Sequence, residues 1–385
     1  MTEEITTRSW WSRIKDAFVG ILLGIGLIIG AIVLIFWNER HSLHTAQSLE
    51  QAHKILISVP ASPINNQNNL KVVYLSGLAT THDQLKDTLL DVTVNAINLY
   101  RQVEMYQWEE KTETKTESQM GGSEKQTKTY SYNKIWSSNL INSAQFKNPQ
   151  GHQNPESMPF QSFKQYAKSV TLGDFILPEE LIHQININEP VDLSRVNKES
   201  LKSHYNKPVQ LLNNELYLGE NPDTPQPGDI RINLTAAYPQ TVSIIAQQNG
   251  TTLQAYQAPA GESVFLLTTG QHSSDQMIEE AQSQNKMIAW ILRLVSFIML
   301  IAGCSLILNP LVVLADVLPF MGSIIGFGTG LIAFICGLSL WGITTAIAWF
   351  ATRPLVSVGL IIALLAIGYL LIKIRNNKVH PQNLK

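Results

Sequence analysis

Residues 17–37 read AFVGILLGIGLIIGAIVLIFW, an apolar run without a single charge. At ~1.5 Å per residue a helix of this length covers about 30 Å, the thickness of a bilayer's hydrocarbon core. The run is longer than the ~7 to 15 apolar residues of a signal peptide. Asn38-Glu39-Arg40 follows it and offers no small-residue cleavage site, so the stretch is read as an uncleaved anchor. Residues 1–16 in front of it form a polar tail with Arg8, Arg13 and Lys15, and Trp10-Trp11 stand where interfacial aromatics sit. Gly20, Gly24, Gly26 and Gly30 contain two small-xxx-small spacings that allow a second helix to approach closely, although membrane helices are also simply rich in glycine.

The other apolar runs lie at the far end of the chain. Residues 287–308 predict a second span, interrupted only by Arg293, which is placed to snorkel to the interface and anchor the helix. Residues 317–352 are uncharged, too long for one perpendicular span and short for two with a turn. One long tilted helix over 320–351 is the simplest solution, with Gly322, Gly326 and Gly330 again at small-xxx-small spacing. Residues 354–373 predict a fourth span, and 374–385 a basic tail. Four spans bring both termini to one side, and the basic residues of both tails make that side the cytoplasm. Residues 38–286 are then expected outside the cytoplasm, periplasmic in a bacterium and luminal in an endoplasmic-reticulum membrane.

That central region holds 19 Lys+Arg against 26 Asp+Glu, an acidic balance that argues against nucleic acid as a partner. Cys304 and Cys336 both lie in apolar runs, so the region has no thiol for a disulfide or a Cys-based metal site. Glu39–Ile57 reads as a helix continuing the first span. Lys71–Leu78 and Asp91–Tyr106 read as strands, and Val103–Trp108 and Tyr130–Trp136 as the arms of a long hairpin around Gly121-Gly122. Pro208–Pro227, dense in Asn and Pro, predicts a connection with little regular structure. Thr241–Gln248 and Thr251–Gln257 predict a hairpin turning at Asn249-Gly250. Ser273 and Gln276 form a capping-box pattern at a helix start. The expected fold class is α+β: a large β-rich extracytoplasmic domain on four transmembrane helices, one N-terminal and three C-terminal.

Catalytic patterns are missing. No phosphate-cradling glycine loop or nucleophile elbow occurs, and Glu104, Glu109 and Glu110 lie on a charged hairpin arm where solvation explains them. His41 and His44 lack a further ligand nearby. No cofactor or metal is expected.

The strings Arg101-x-Val-Glu104-Met-Tyr106-Gln-Trp108, Tyr130-Ser-Tyr132-Asn-x-x-Trp136, Ile141-Asn-Ser-x-x-Phe146 and Gly151-His152-x-Asn154-Pro-x-x-Met158 resemble the signature stretches of the transmembrane protein 43 family. Weaker echoes follow at Gly228-Asp229-x-Arg231, at Val242–Gln247 and at Arg353-Pro-Leu. The Asn- and Gln-rich character suits a bacterial member. The resemblance implies a membrane protein of the endoplasmic reticulum and inner nuclear membrane in eukaryotes, or of the inner membrane with a periplasmic domain in bacteria. It also implies a non-enzymatic, self-associating scaffold whose partners are lipid, further copies of the chain and other membrane proteins. Arg101, Glu104, Tyr106, Trp108, Tyr130, Tyr132, Trp136, His152, Asn154, Asp229 and Arg231 are the candidate motif or partner-surface residues. A channel or transporter subunit is the alternative, followed by an enzyme with a site in the central domain.

Overall fold

A computed structural model describes residues 2–186, 189–350, 358–359, 362 and 365–369. The predicted fourth span over 354–373 and the basic tail lie largely or wholly outside the described residues. The chain falls into two compact units. One comprises residues 1–3, 48–113 and 128–280, and the other 4–47, 114–127 and 281–385.

The first unit is β-rich, and among the described residues it has two large sheets and two short two-stranded ones. The longer strands of one large sheet are β1 (Thr2–Arg8), β3 (Asn98–Ser118), β4 (Glu124–Ser137), β5 (Val209–Leu212), β6 (Glu215–Leu218) and β7 (Ile230–Ala237), in the order β1-β4-β3-β7-β6-β5. The second sheet is built on β2 (Val72–Thr80) and β8 (Gln240–Asn249), antiparallel from Gln240 opposite Ala79 to Gln247 opposite Val72. Only two residues, Tyr238 and Pro239, separate β7 in one sheet from β8 in the other. Each large sheet has its own apolar core. Val103, Met105, Leu216, Ile230 and Ile232 are buried in the first, and Leu75, Val242, Ile244, Leu172 and Phe175 in the second. The period-2 alternation of a half-buried strand accounts for this, since Val103, Met105 and Gln107 point inward while Glu104, Tyr106 and Trp108 point outward.

The long hairpin of β3 and β4 turns at Gly121-Gly122, whose φ values of 85° and 79° suit glycine. The expected strand Asp91–Tyr106 is instead two, Val92–Asn95 and β3. Pro208–Pro227 is not an irregular connection: β5 and β6 pair around Asn213-Asn214, both with positive φ. Two adjacent Asn residues supply the left-handed turn that glycine supplies elsewhere. The second predicted turn is displaced by one residue. Asn249 stays in β8 opposite Thr252, and Gly250, at φ 60°, is the first turn residue.

Among the described residues the second unit contains three helices long and apolar enough to cross a membrane, Trp10–Ile55 (α1), Ser274–Ala315 (α4) and Pro319–Phe350 (α5); the short helices Glu179–Ile182 (α2) and Lys198–Tyr205 (α3) belong to the first unit. α1 runs unbroken from the apolar stretch into the polar helix after it. The predicted capping box opens α4, with Ser273 Oγ accepting from Gln276 N at 3.2 Å and Gln276 Oε1 accepting from Ser273 N at 2.9 Å.

Glycine lets α1 and α4 touch. A Cβ on Gly24 would stand 2.7 Å from the carbonyl oxygen of Gly303, whereas one on Gly26 would meet nothing within 4 Å. Gly20 and Gly30 face Leu306 and Met299 at ordinary contact distance, Gly326 faces Val312, Gly322 is pressed against Asp316, and Gly330 is open. Replacing Gly24 by Val is therefore expected to destabilise the helical unit by about 1–3 kcal/mol, the usual cost of overpacking. Gly26→Val should leave it unchanged. Thermal unfolding of both variants in detergent separates the two cases.

Candidate functional site

In the β-rich unit most of the motif residues gather on the outward face of β3, β4 and β7 and on the loop that follows β4. Arg231 on β7 sits directly opposite Glu104 on β3, and its Nε donates to Glu104 Oε2 at 2.6 Å. The guanidinium also lies over the Trp136 ring, 4.7 Å from its centroid. Trp136 packs against Tyr106 at 5.1 Å and Tyr217 at 6.3 Å. Tyr217 then leads to a buried carboxylate. Its hydroxyl donates to Asp229 Oδ2 at 2.6 Å, Lys207 Nζ donates to Oδ1 at 2.7 Å, and Gln226 N donates to Oδ2 at 2.8 Å.

A second cluster surrounds His152. Tyr132 stacks on its ring at 3.8 Å and Trp108 meets it edge-on at 4.8 Å, with Lys134 Nζ 4.9 Å from the centroid of Trp108. The Tyr132 hydroxyl donates to Glu110 Oε2 at 2.7 Å and accepts from Asn148 N at 2.9 Å. Burial and the Glu110 hydrogen bond raise the Tyr132 phenol above its ordinary range. Tyr130 is buried nearby, with Lys147 Nζ 5.9 Å from its ring centroid. Asn154 holds the loop to the strand: its Oδ1 accepts from Trp108 N at 2.7 Å, and its Nδ2 donates to Trp108 O at 2.9 Å and Ile141 O at 3.2 Å.

Arg101 stands apart from both clusters. It donates to the fully buried Asp87 at 2.6 Å and twice to the carbonyl of Gln161, and it covers Phe163. Asp87 Oδ1 also accepts from Leu89 N and Leu90 N, so the pair pins a turn. A cleft of about 630 Å³ borders Asn142, Ser143, Gln153 and Asn154, and a smaller one of about 280 Å³ borders Thr2, Tyr132, Asn148 and His152. Among the described residues no group of three His, Cys, Asp or Glu side chains is placed to hold a metal ion.

Sequence reasoning passed over Tyr217, Lys207 and Asp87 and left Glu110 to solvation, although all four occupy polar atoms of the motif residues. Tyr217 could have been found from strand alternation, since in Glu215–Leu218 it faces Arg231 across the ladder. Lys207 lies next to a segment read as irregular and gave no such signal.

In the helical unit the polar group of interest is Arg293. It does not snorkel. Its Nε and Nη2 donate to Glu39 Oε1 and Oε2 at 2.6 and 2.8 Å, a bidentate pair in which both residues are 8% exposed. Trp349 Nε1 donates to the same carboxylate, Trp341 Nε1 donates to Arg293 O at 3.2 Å, and the Trp290 and Trp349 rings face the guanidinium. Asn38 Nδ2 donates to Ala289 O at 3.1 Å one turn away. Lost hydration is thus replaced on both charges, which a pair at this depth requires.

Burial and the Asp229 hydrogen bond and charge push the Tyr217 phenol above its ordinary value of 10. The unfolded chain ionises this group near 10 while the folded one retains the proton. Its contribution to stability is complete below pH 10 and is lost as the pH climbs beyond it. Tyr217→Phe is expected to flatten the alkaline loss of stability and to cost about 1 kcal/mol at neutral pH. Denaturant titrations at pH 7 and above pH 10, followed by tryptophan fluorescence, measure both effects.

Comparison with known proteins places this arrangement. Residues 105–354 match the sequence model of the family described as Transmembrane protein 43. The protein of that name from Mus musculus is 30% identical over 354 residues, covering 89% of this chain and 87% of the relative. The Homo sapiens protein is 29% identical over the same shares. The Drosophila melanogaster homolog is 26% identical over 89% of this chain and 91% of its own length. No solved structure matches the chain.

Proposed function

The chain belongs to the transmembrane protein 43 family, and from that footing we propose that it is a non-enzymatic membrane scaffold that self-associates and organises other membrane proteins. The observation that carries this reading is how the motif residues are used. Glu104 is paired with Arg231, Asp229 with Lys207 and Tyr217, and Glu110 with Tyr132. Acid–base chemistry needs carboxylates held in unlike environments and open to a substrate, whereas these hold strands and loops together. The motif therefore keeps a folded surface in shape, the role of a binding module.

Self-association is assigned to the helices. Gly328 and Gly330 on α5 and Gly26 on α1 have open space where a Cβ would stand, so a second helix can approach the backbone there. Exposed Phe327, Leu331 and Phe334 flank the α5 glycines. The partners are lipid, further copies of this chain and other membrane proteins, in a bacterial inner membrane or in the endoplasmic-reticulum and inner nuclear membrane. The acidic balance of residues 38–286 speaks against nucleic acid.

Chemical cross-linking of the full chain in its native membrane is expected to recover a ladder of oligomers, reduced by Gly330→Leu. Recovery of monomers alone from the unsubstituted chain would overturn the proposal.

A further inference from the structure

Between α4 and α5 a place of close backbone contact is followed by a groove. A Cβ on Gly337 would stand 2.8 Å from Ile301 Cγ1 and 3.0 Å from Ile301 N, so the α5 backbone lies directly against α4 there. One turn further along α5 the indole of Trp341 meets Phe297 edge-on at 5.8 Å, and ring bulk takes the place of backbone contact. The groove has a volume of about 200 Å³ and is lined by Trp290, Arg293, Leu294 and Phe297 from α4 and by Leu338 and Trp341 from α5. The α4 residues recur at i, i+3, i+4 and i+7, one face of that helix. Trp290, Leu294 and Leu338 are 61%, 58% and 41% exposed, so the groove opens outward from the helical unit.

Among the described residues that line it, Arg293 alone is charged. A guanidinium has five N–H donors, all in its plane. Glu39 takes one from Nε and one from Nη2, and the remaining three have no acceptor among the described residues. The Trp290 and Trp349 rings lie against the guanidinium, yet ring contact leaves in-plane donors unsatisfied. The Arg293 side chain is only 10% exposed, so water reaches it poorly, and a buried donor without a partner is costly. The groove thus combines an apolar trough with N–H groups that call for an acceptor. Glu39 follows the end of the uncharged run of α1 by two residues, and Arg293 follows the start of the second run, Met287, by six. The polar end of the groove therefore stands at the end of the apolar segments, while Leu294 and Phe297 lead on into them.

We propose that this groove is a binding site for a diacyl glycerolipid, with one acyl chain lying in the trough and the ester carbonyl of that chain accepting from the Arg293 guanidinium. The inference rests on α4 and α5 lying in a membrane, as their length and apolar character allow, and not on self-association. An ester carbonyl is a neutral acceptor, which suits a cation already neutralised by Glu39. A phosphate at the same place would stand beside the Glu39 carboxylate and be repelled by it. The helix of a second copy is a poorer occupant, because its carbonyls are taken up by its own hydrogen bonds. A glycerolipid brings the chain and the acceptor together in one molecule.

Photolabelling tests the site. The full chain is reconstituted in phosphatidylcholine vesicles that contain a phosphatidylcholine with a diazirine near the ester end of one acyl chain, and the adducts are mapped by peptide mass spectrometry after illumination. Adducts on the groove residues are expected to exceed several-fold those on Ile291 and Ile347, which are equally exposed on the same two helices but do not line the groove. Labelling spread evenly over both sets would overturn the proposal. Leu338→Trp fills the groove from α5 and Leu294→Trp from α4, and each replaces an exposed side chain. Either variant that keeps the thermal unfolding of the unsubstituted chain is expected to lose most of the groove adducts, and undiminished labelling would overturn the proposal. The ether-linked form of the same probe lacks the carbonyl and should label the groove several-fold less. Equal labelling by the two probes would show that Arg293 does not bind the ester. Adducts are read residue by residue on the chain itself, so their absence leaves an oligomer ladder untouched, and loss of the ladder leaves the adducts.

Discussion

Two opposite charges in an apolar surround set the register of the helical unit. Glu39 and Arg293 can lose their water only by bonding each other, and a bidentate geometry tolerates little sliding. The other contacts of α1 with α4 follow in antiparallel order, from Asn38 against Ala289 through Gly24 against Gly303 to Trp10 against Val313. A shift of one turn would break the charge pair and also drive a larger side chain into the place of Gly303. Polar and steric constraints thus select the same register. α5 joins through the indoles of Trp341 and Trp349, which donate to the Arg293 carbonyl and the Glu39 carboxylate.

In the β-rich unit the division of labour follows the two faces of the hairpin base. The inward face is ordinary apolar core, Val103 and Met105 among leucines and isoleucines. The outward face carries Glu104, Tyr106 and Trp108, half-covered by charged and aromatic neighbours. Tryptophan there is neither deep core nor free surface. Trp136 lies between Tyr106, Tyr217 and Arg231, and Trp108 between His152 and Lys134. These contacts combine ring packing with cation–π attraction, so the layer depends on charge as well as on burial.

Much of this was legible in the residues because the deciding signals are local. The uncharged run from Ala17, the Gly121-Gly122 turn and the Ser273/Gln276 cap each need only a few neighbours to be read. What escaped depends on distant partners or on unusual turn chemistry. Arg293 reads as an anchor until Glu39 appears 254 positions away. Asn213-Asn214 lies in a segment whose prolines suggest an irregular backbone path, yet two left-handed asparagines close a tight turn. At Asn249-Gly250 the residue types were right, but the strand continues one position further because Asn249 still pairs with Thr252. The motif residues were marked by the family resemblance, which gave no sign that their polar atoms would be taken up by Lys207, Tyr217 and Asn148.

Asn154 has a further consequence. Along β3, Tyr106 is the last residue whose backbone bonds reach the segment entering β7, through Asp229 O and Gly228 N. Two residues on, Trp108 presents its N–H and C=O on the same side, and the Asn154 amide satisfies both. One side chain thus takes the place of a missing strand. An exposed strand edge is a template on which another extended chain can add, including a misfolded one. By ending the open ladder at this position, a single loop amide protects the sheet from growing by strand addition just where its natural neighbour stops.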